Sequence, residues 1–404
     1  MKTPAKLGLL SSLYLSQGLP YGFFTQALPV LLRKQGLSLP EIGLTHLLAL
    51  PWALKFLYSP LFDRYGSTRW GRRRGYILPL QLLAVAVLFA LGLPEGGVSM
   101  RWILAAVLGT NLLAATQDVA TDGLAVELLT PAERGWGNGI QVAGYRLGMI
   151  VGGGAMLLVF DAAGWRAPFF GMGALLLAAT VPIALFREPP SQPPPRAAPG
   201  LRWWLKRPGA GAWVALLVLY KAGESLATGM LRTFLVDSGL SLSDIGWMLG
   251  GVGFSAGLLG ALGGGALVAR LGRRRALLLF GTTQAVAVGL YAAVAWRGAP
   301  LPLLTAACGL EHLASGMATA ALFTAMMDVC RPDHAATDYT VQASLVVVAT
   351  GGAAALSGFG AQAFGYPIHF LLAAGLCALA AAYVAIAFPA DLDPAPAALP
   401  EASP

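Results

Sequence analysis

Asp118 and Asp122 lie four residues apart, the spacing that puts two side chains on one face of a helix. Two carboxylates that close cannot both stay charged cheaply, so one of them can take up and release a proton. A salt bridge to Arg146 is the competing use of the same acids, and Asp122 stays open between the two roles. Lys221 and Glu224, three apart, can reach each other along one helix face. Either they neutralise each other, or a solute carboxylate displaces Glu224 and is held by Lys221. Arg146 adds a second cation that can clamp such a group from the opposite half of the chain. Glu311 is a further acid in apolar surroundings and a candidate substrate-binding residue. Its neighbour His312 is expected to point to another face and, like His46, to be a packing histidine. Tyr145 and Tyr220, with Tyr21 and Trp52, can stack on a sugar or catecholate ring or simply pack helices. Glu127 and Glu133, on either side of Pro131, read as helix-end groups.

Other chemistries are disfavoured by context. Gly253-Phe254-Ser255-Ala256-Gly257 satisfies the G-x-S-x-G pattern, but a nucleophile elbow needs a strand, a strained turn and a helix. Here the pattern sits within an apolar span among Gly260 and Gly264, where small residues let helices approach closely. Four scattered histidines make no metal site, and Cys308, Cys330 and Cys377 are odd in number and widely spaced, so they read as small core residues. No G-x-x-x-x-G-K-[ST] loop is present, so ATP does not drive the chain directly. No cofactor, no metal and no enzymatic activity are expected.

The elements that must position these residues follow from composition. Of 404 residues, 56% are apolar and 11% charged, against about 25% charged in a soluble domain. There are too few charges to coat a water-facing surface. Apolar runs near 20 residues long match a bilayer core, and the chain reads as an all-α polytopic membrane protein with spans centred near residues 20, 50, 84, 114, 148, 177, 223, 256, 284, 315, 349 and 378. The first run, although preceded by Lys2 and Lys6, is too long for a signal peptide and stays as a span. The net charge of +8 sits in short loops and is explained by topology, with no nucleic-acid partner. The amino terminus and even-numbered loops hold 18 of the Lys and Arg residues and the odd-numbered loops five, which places both termini in the cytoplasm. Residues 1–187 and 211–388 form two six-helix bundles. A proline-rich cytoplasmic linker, 188–210, joins them, and 389–404 is a disordered tail.

An internal repeat ties the halves together. Gly36 to Gly43 reads GLSLPEIG and Gly239 to Gly246 reads GLSLSDIG. GRRR occurs at Gly71 to Arg74 and again at Gly272 to Arg275, while Pro131 pairs with Pro332 and Gln141 with Gln342. The matches keep one order at offsets of 201 and 203. An even number of spans per repeat makes the halves parallel, the arrangement in which two bundles rock around a central site.

The loop SPLFDRYGSTRWGRRRG, Ser59 to Gly75, resembles the DR…GRR loop of the major facilitator superfamily. More narrowly, the chain is similar to the AmpG-like muropeptide permease and acetyl-CoA transporter family. The resemblance continues through Gln117, Asp118 and Asp122, then Glu133-Arg134-Gly135, GYRLGM at Gly144 to Met149, LYKAGE at Leu219 to Glu224, and Glu311. It implies a major-facilitator fold of twelve helices in a bacterial inner membrane. The implied activity is a monomeric secondary transporter that takes a small anionic or zwitterionic solute and protons as partners. Longer muropeptide permeases carry two more spans, and the twelve-span length is more like the siderophore-importing branch, so both solutes stand. The resemblance also implies a gating loop, Asp63, Arg64, Gly71, Arg72 and Arg73, whose aspartate meets the amino-terminal end of the eleventh span near Ala335 to Tyr339. The arginines of that loop could instead serve topology alone. A non-transporting receptor or scaffold is the alternative for the whole chain, and it gives no reason for paired halves with polar groups in their central helices.

Overall fold

The computed structural model describes residues 1–34, 48–66, 70–94, 99–189, 204–298 and 300–388. The first GLSLPEIG segment, most of the proline-rich linker and the carboxy-terminal tail lie outside the described residues. Every regular element among the described residues is helical, in keeping with apolar runs near 20 residues long, since a helix satisfies its backbone hydrogen bonds within the span.

Helix α1, Thr3–Gly22, passes through a π turn, Phe23–Ala27, into α2, Leu28–Lys34. A broken stretch follows: α3, Leu50–Leu54, a single 3-10 turn, Lys55–Leu57, and α4, Ser59–Arg64. Then come α5, Arg74–Gly92, α6, Met100–Leu128, and α7, Arg134–Ile150, which a π turn at Val151–Ala155 joins to α8, Met156–Ala163. Helix α9 is Arg166–Leu185 and α10 is Ala210–Asp237. Helix α11, Leu242–Gly246, leads through the π turn Trp247–Gly253 into α12, Phe254–Leu271. The chain closes with α13, Arg273–Arg297, α14, Leu301–Val329, the 3-10 turn Pro332–His334 and α15, Ala335–Ala387, which bends at Gly365.

Eight of these stretches are long and apolar enough to cross a bilayer. They coincide with the third to ninth expected spans and, as one bent stretch, with the eleventh and twelfth. The first expected span is α1 with its π turn and α2. The second falls partly outside the described residues, and the tenth is the helix α14.

The chain forms two compact units. The first contains 1–128, 143–203 and 330–344, and the second contains 129–142, 204–329 and 345–404. Each is held by close backbone approach at glycine. In the first unit a Cβ at Gly148 would lie 2.3 Å from the Leu15 carbonyl oxygen, and one at Gly152 would lie 1.9 Å from that of Leu19. In the second, a Cβ at Gly260 would lie 2.1 Å from the Leu313 carbonyl and one at Gly316 2.3 Å from that of Gly257. In lipid the packing of small residues replaces the hydrophobic drive between helices. Gly257 closes the G-x-S-x-G pattern, and its neighbours use it for helix contact.

Candidate functional site

In the first unit α6 carries both Asp118 and Asp122 on a buried face. Their cationic partner is Lys55, 2% exposed, in the 3-10 turn after α3. Its Nζ donates to Asp118 Oδ2 and lies 4.0 Å from Asp122 Oδ2. Tyr14 of α1 donates its hydroxyl to Asp122 Oδ1 at 2.9 Å. Lys55 therefore faces two carboxylates inside apolar packing. In the sequence Lys55 stands within the second expected span. Charge at bilayer depth was the available signal, but its 63-residue separation from Asp118 hides the pairing. Arg146, on α7, is half-buried.

Beside this cluster Tyr21, Trp52 and Tyr145 form an aromatic group. Their ring centroids are 5.5 Å (Tyr21 to Trp52), 5.6 Å (Tyr21 to Tyr145) and 6.3 Å (Trp52 to Tyr145) apart. Lys55 Nζ stands 5.6 Å from the Trp52 ring, a cation–π distance. The Gln17 amide, 1% exposed, has no hydrogen-bond partner on either atom. A buried polar group left in that condition is costly and calls for a ligand or water.

In the second unit, Lys221 of α10 donates to Glu224 Oε2 and to Thr319 Oγ1 at 3.1 Å. Ser315 Oγ donates to Glu224 Oε1 at 2.5 Å. The expected pair thus exists, and α14 supplies two hydroxyls to it. Tyr220 is 2% exposed and donates its hydroxyl to the Leu277 carbonyl at 2.9 Å, so it joins α10 to α13. Glu311 is 1% exposed. One expectation is corrected here. His312 does not point away from Glu311, because its Nδ1 lies 2.9 Å from Glu311 Oε2. Two adjacent Cβ atoms diverge on a helix, but the glutamate stem is long enough to fold back to the ring.

The loop between α4 and α5 builds a third polar site. Asp63, fully buried, accepts from the backbone N–H of Ala336 (3.3 Å) and Thr337 (2.7 Å) and from Thr337 Oγ1 (2.5 Å). It thus occupies the amino-terminal end of α15, where the helix dipole favours a carboxylate. Arg73, also fully buried, donates to Asp63 Oδ1 at 2.7 Å, to Glu127 Oε1 at 2.5 Å and to the Phe62 carbonyl at 2.9 Å. Arg72 donates to the Asp63 carbonyl, whereas Arg64 is exposed and lies over the Tyr65 ring. Burial draws the Arg72 pKa below its ordinary value, with Arg73 adding to the shift. For Arg73, burial acts the same way, but Glu127 and Asp63 outweigh it and the net shift is upward. Gly71 takes φ +90°, and a Cβ there would lie 2.6 Å from Glu188 Oε2. The Glu188 carboxylate accepts the N–H groups of Arg73 and Arg74 at 2.8–3.0 Å and so caps the start of α5.

The second GRRR loop follows the same plan. Arg273 donates to Asp328 Oδ2 at 2.6 Å and to the Pro131 carbonyl at 2.6 Å, and Arg134 donates to Asp328 Oδ1 at 2.6 Å. Asp328 stands 201 positions after Glu127, the offset of the repeat. Glu127 is thus an arginine partner, and sequence reading missed Asp328 and Glu188.

The chain resembles known proteins along most of its length. The profile of the Major Facilitator Superfamily matches the chain over residues 10–222 and 213–403. The chain is 33% identical over 372 residues to the anhydromuropeptide permease of Escherichia coli K12, covering 90% of this chain and 76% of that one. It is 30% identical to an uncharacterized protein of Haemophilus influenzae, covering 88% of each. Among solved structures it resembles the human organic anion transporter MFSD10 with a TM-score of 0.74, at 16% identity over 95% of this chain and 100% of that one. A bacterial homologue of the iron transporter ferroportin, in an outward-facing state, gives 0.72 at 16% identity over 95% and 99%.

Proposed function

The chain belongs to the major facilitator superfamily, in its AmpG-like family, and from that premise we propose that it couples proton entry to the import of an anionic muropeptide across a bacterial inner membrane. It is a multi-pass membrane transporter for a small molecule and not an enzyme.

The observation that carries the coupling is the Lys55, Asp118, Asp122 and Tyr14 cluster. Lys55 can balance one of the two carboxylates. Two buried carboxylates one helical turn apart repel, and a proton on one of them relieves that repulsion. A proton bound there from outside and released inside is the coupling step.

Within the second unit, Lys221 exchanges Glu224 for a substrate carboxylate. Tyr21, Trp52 and Tyr145 offer aromatic faces to a sugar, and the unpartnered Gln17 amide offers a donor and an acceptor. The muropeptide reading draws support from the E. coli permease. A siderophore is the second reading, supported by the same rings as a stacking surface for a catecholate. Asp63 serves as a latch that holds the amino-terminal end of α15 in one state of the cycle and lets it go in the other.

Uptake of labelled anhydromuropeptide and of labelled ferric siderophore by the same cells decides between the solutes. Anhydromuropeptide uptake that collapses under a protonophore is the expected result. Binding of either solute without accumulation would favour a receptor.

A further inference from the structure

The second unit contains a buried titratable group that the reading above does not use. Glu311 of α14 is 1% exposed, its Oε2 meets His312 Nδ1 at 2.9 Å, and its Oε1 has no hydrogen-bond partner. Across from it on α13, the Tyr291 hydroxyl is fully buried and has no oxygen or nitrogen partner. An ionised carboxylate left in that condition in an apolar interior is expensive.

His312 Nδ1 also lies 3.0 Å from the Cys308 carbonyl, an acceptor only. That contact requires a hydrogen on Nδ1, so the ring donates toward both Cys308 and Glu311 and its other nitrogen, Nε2, is the one left to gain a proton. The side chain of His312 is 22% exposed where that of Glu311 is 1%. The imidazole is thus the accessible member of the pair and the carboxylate the sealed one. Space for the ring is made at the π turn before α12: a Cβ at Gly253 would lie 2.9 Å from Cδ2 and 3.0 Å from Nε2 of His312. A π turn at such a place is a frequent mark of a functional site.

The titratable groups around the pair are few. Helix α13 presents Tyr291 and α14 presents Cys308. Helix α10 contributes Lys221 and Glu224, and α15 contributes Cys377, which lies within electrostatic reach of Glu224, Glu311 and Lys221. Lys221 is already engaged with Glu224. Glu311 therefore has His312 as its nearby source of positive charge.

We propose that Glu311 and His312 form a second proton-carrying pair, separate from Asp118 and Asp122. A proton enters at His312 Nε2, and the imidazolium so formed neutralises the Glu311 carboxylate. Loss of that proton restores neutral imidazole beside the anion. Only an N–H bond forms and breaks. The pair deepens the proton-coupled reading by giving the second unit a proton site of its own.

The test uses full-length protein in lipid nanodiscs with His46, His334 and His369 changed to Gln, so that His312 is the sole histidine. Its imidazole is followed by 15N NMR from about pH 5 to 11, because a carboxylate beside a histidine raises its proton affinity. The expected result is a titration of His312 whose proton affinity changes about tenfold or more in Glu311→Gln, because coupled groups titrate as one system. An imidazole that stays neutral throughout, or that titrates identically with Glu311→Gln, overturns the pair. The first arm leaves Glu311 untouched, so it stands even if Glu311→Gln does not insert. Neither arm needs a solute, so a wrong solute or failed uptake does not affect them.

Discussion

Lys55 and Asp118, 63 positions apart, meet through a buried hydrogen bond that neither residue's own helix could have produced. Lys55 enters from a single 3-10 turn and Asp118 from the middle of α6, and Asp122 stands 4.0 Å from the same nitrogen. This sharing sets the first prediction. Asp122→Asn should lower steady-state accumulation by about tenfold or more while solute exchange without a proton gradient persists, the pattern of a lost coupling group. Uptake by whole cells and exchange in proteoliposomes measure the two. Full accumulation in Asp118→Asn, Asp122→Asn and the double variant would remove both from the proton path.

Lys55→Ala leaves two buried carboxylates without their cation. Breaking a buried ion pair on one side costs about 3–5 kcal/mol, so this variant should melt well below the parent. Lys55→Ala combined with Asp118→Asn should recover part of the loss. Thermal unfolding in detergent compares the three, and equal losses in single and double variants would show that the loss does not come from an unpaired Asp118 carboxylate.

Lys221 and Glu224 allow a test of solute charge. Lys221→Ala should weaken binding of an anionic muropeptide by about tenfold or more, the scale of a lost charge-assisted hydrogen bond, and leave an esterified analogue nearly unaffected. Equal weakening of both would assign Lys221 to Glu224 alone.

Asp63 holds the start of α15 through two backbone N–H groups and Thr337 Oγ1. Charge removal in Asp63→Asn loses a dipole contribution of about 0.3–1 kcal/mol, more when buried. It should slow turnover while insertion and orientation stay intact. A cysteine pair with one member near Asp63 and one near Ala335 should crosslink less readily in the variant. Unchanged crosslinking and uptake would leave Asp63 with a topological role.

Gly152 tests the packing. A Cβ there would fall 1.9 Å from the Leu19 carbonyl oxygen, while one at Gly154 would meet nothing within 4 Å. Gly152→Val should therefore lower the melting temperature by several degrees, from a strain of about 1–3 kcal/mol or more. Gly154→Ala should be near neutral. A small loss at Gly152 would mean that α1 and the π turn after α7 part easily.

Much of this protein is legible in its sequence, because lipid imposes one-dimensional rules. Apolar runs, loop arginines and the offset of 201 between the GRRR loops depend only on composition and order along the chain. Short-range pairs are legible too: the shared face of Asp118 and Asp122 and the reach of Lys221 to Glu224 follow from helical periodicity. Periodicity says which face a side chain takes, not what arrives opposite. Lys55 on Asp118, Tyr14 on Asp122 and Glu188 over Arg73 and Arg74 depend on how closely neighbouring helices approach, which glycines such as Gly148 and Gly152 set through backbone contact. The meeting of Glu311 with His312 escaped for a different reason, since adjacent positions diverge at Cβ and only the fold of a long side chain brings their polar ends together. Order along the chain thus determined the spans and the repeat, while tertiary packing alone decided which buried charges face each other, because that choice is a balance of desolvation against contact that exists only once the helices have met.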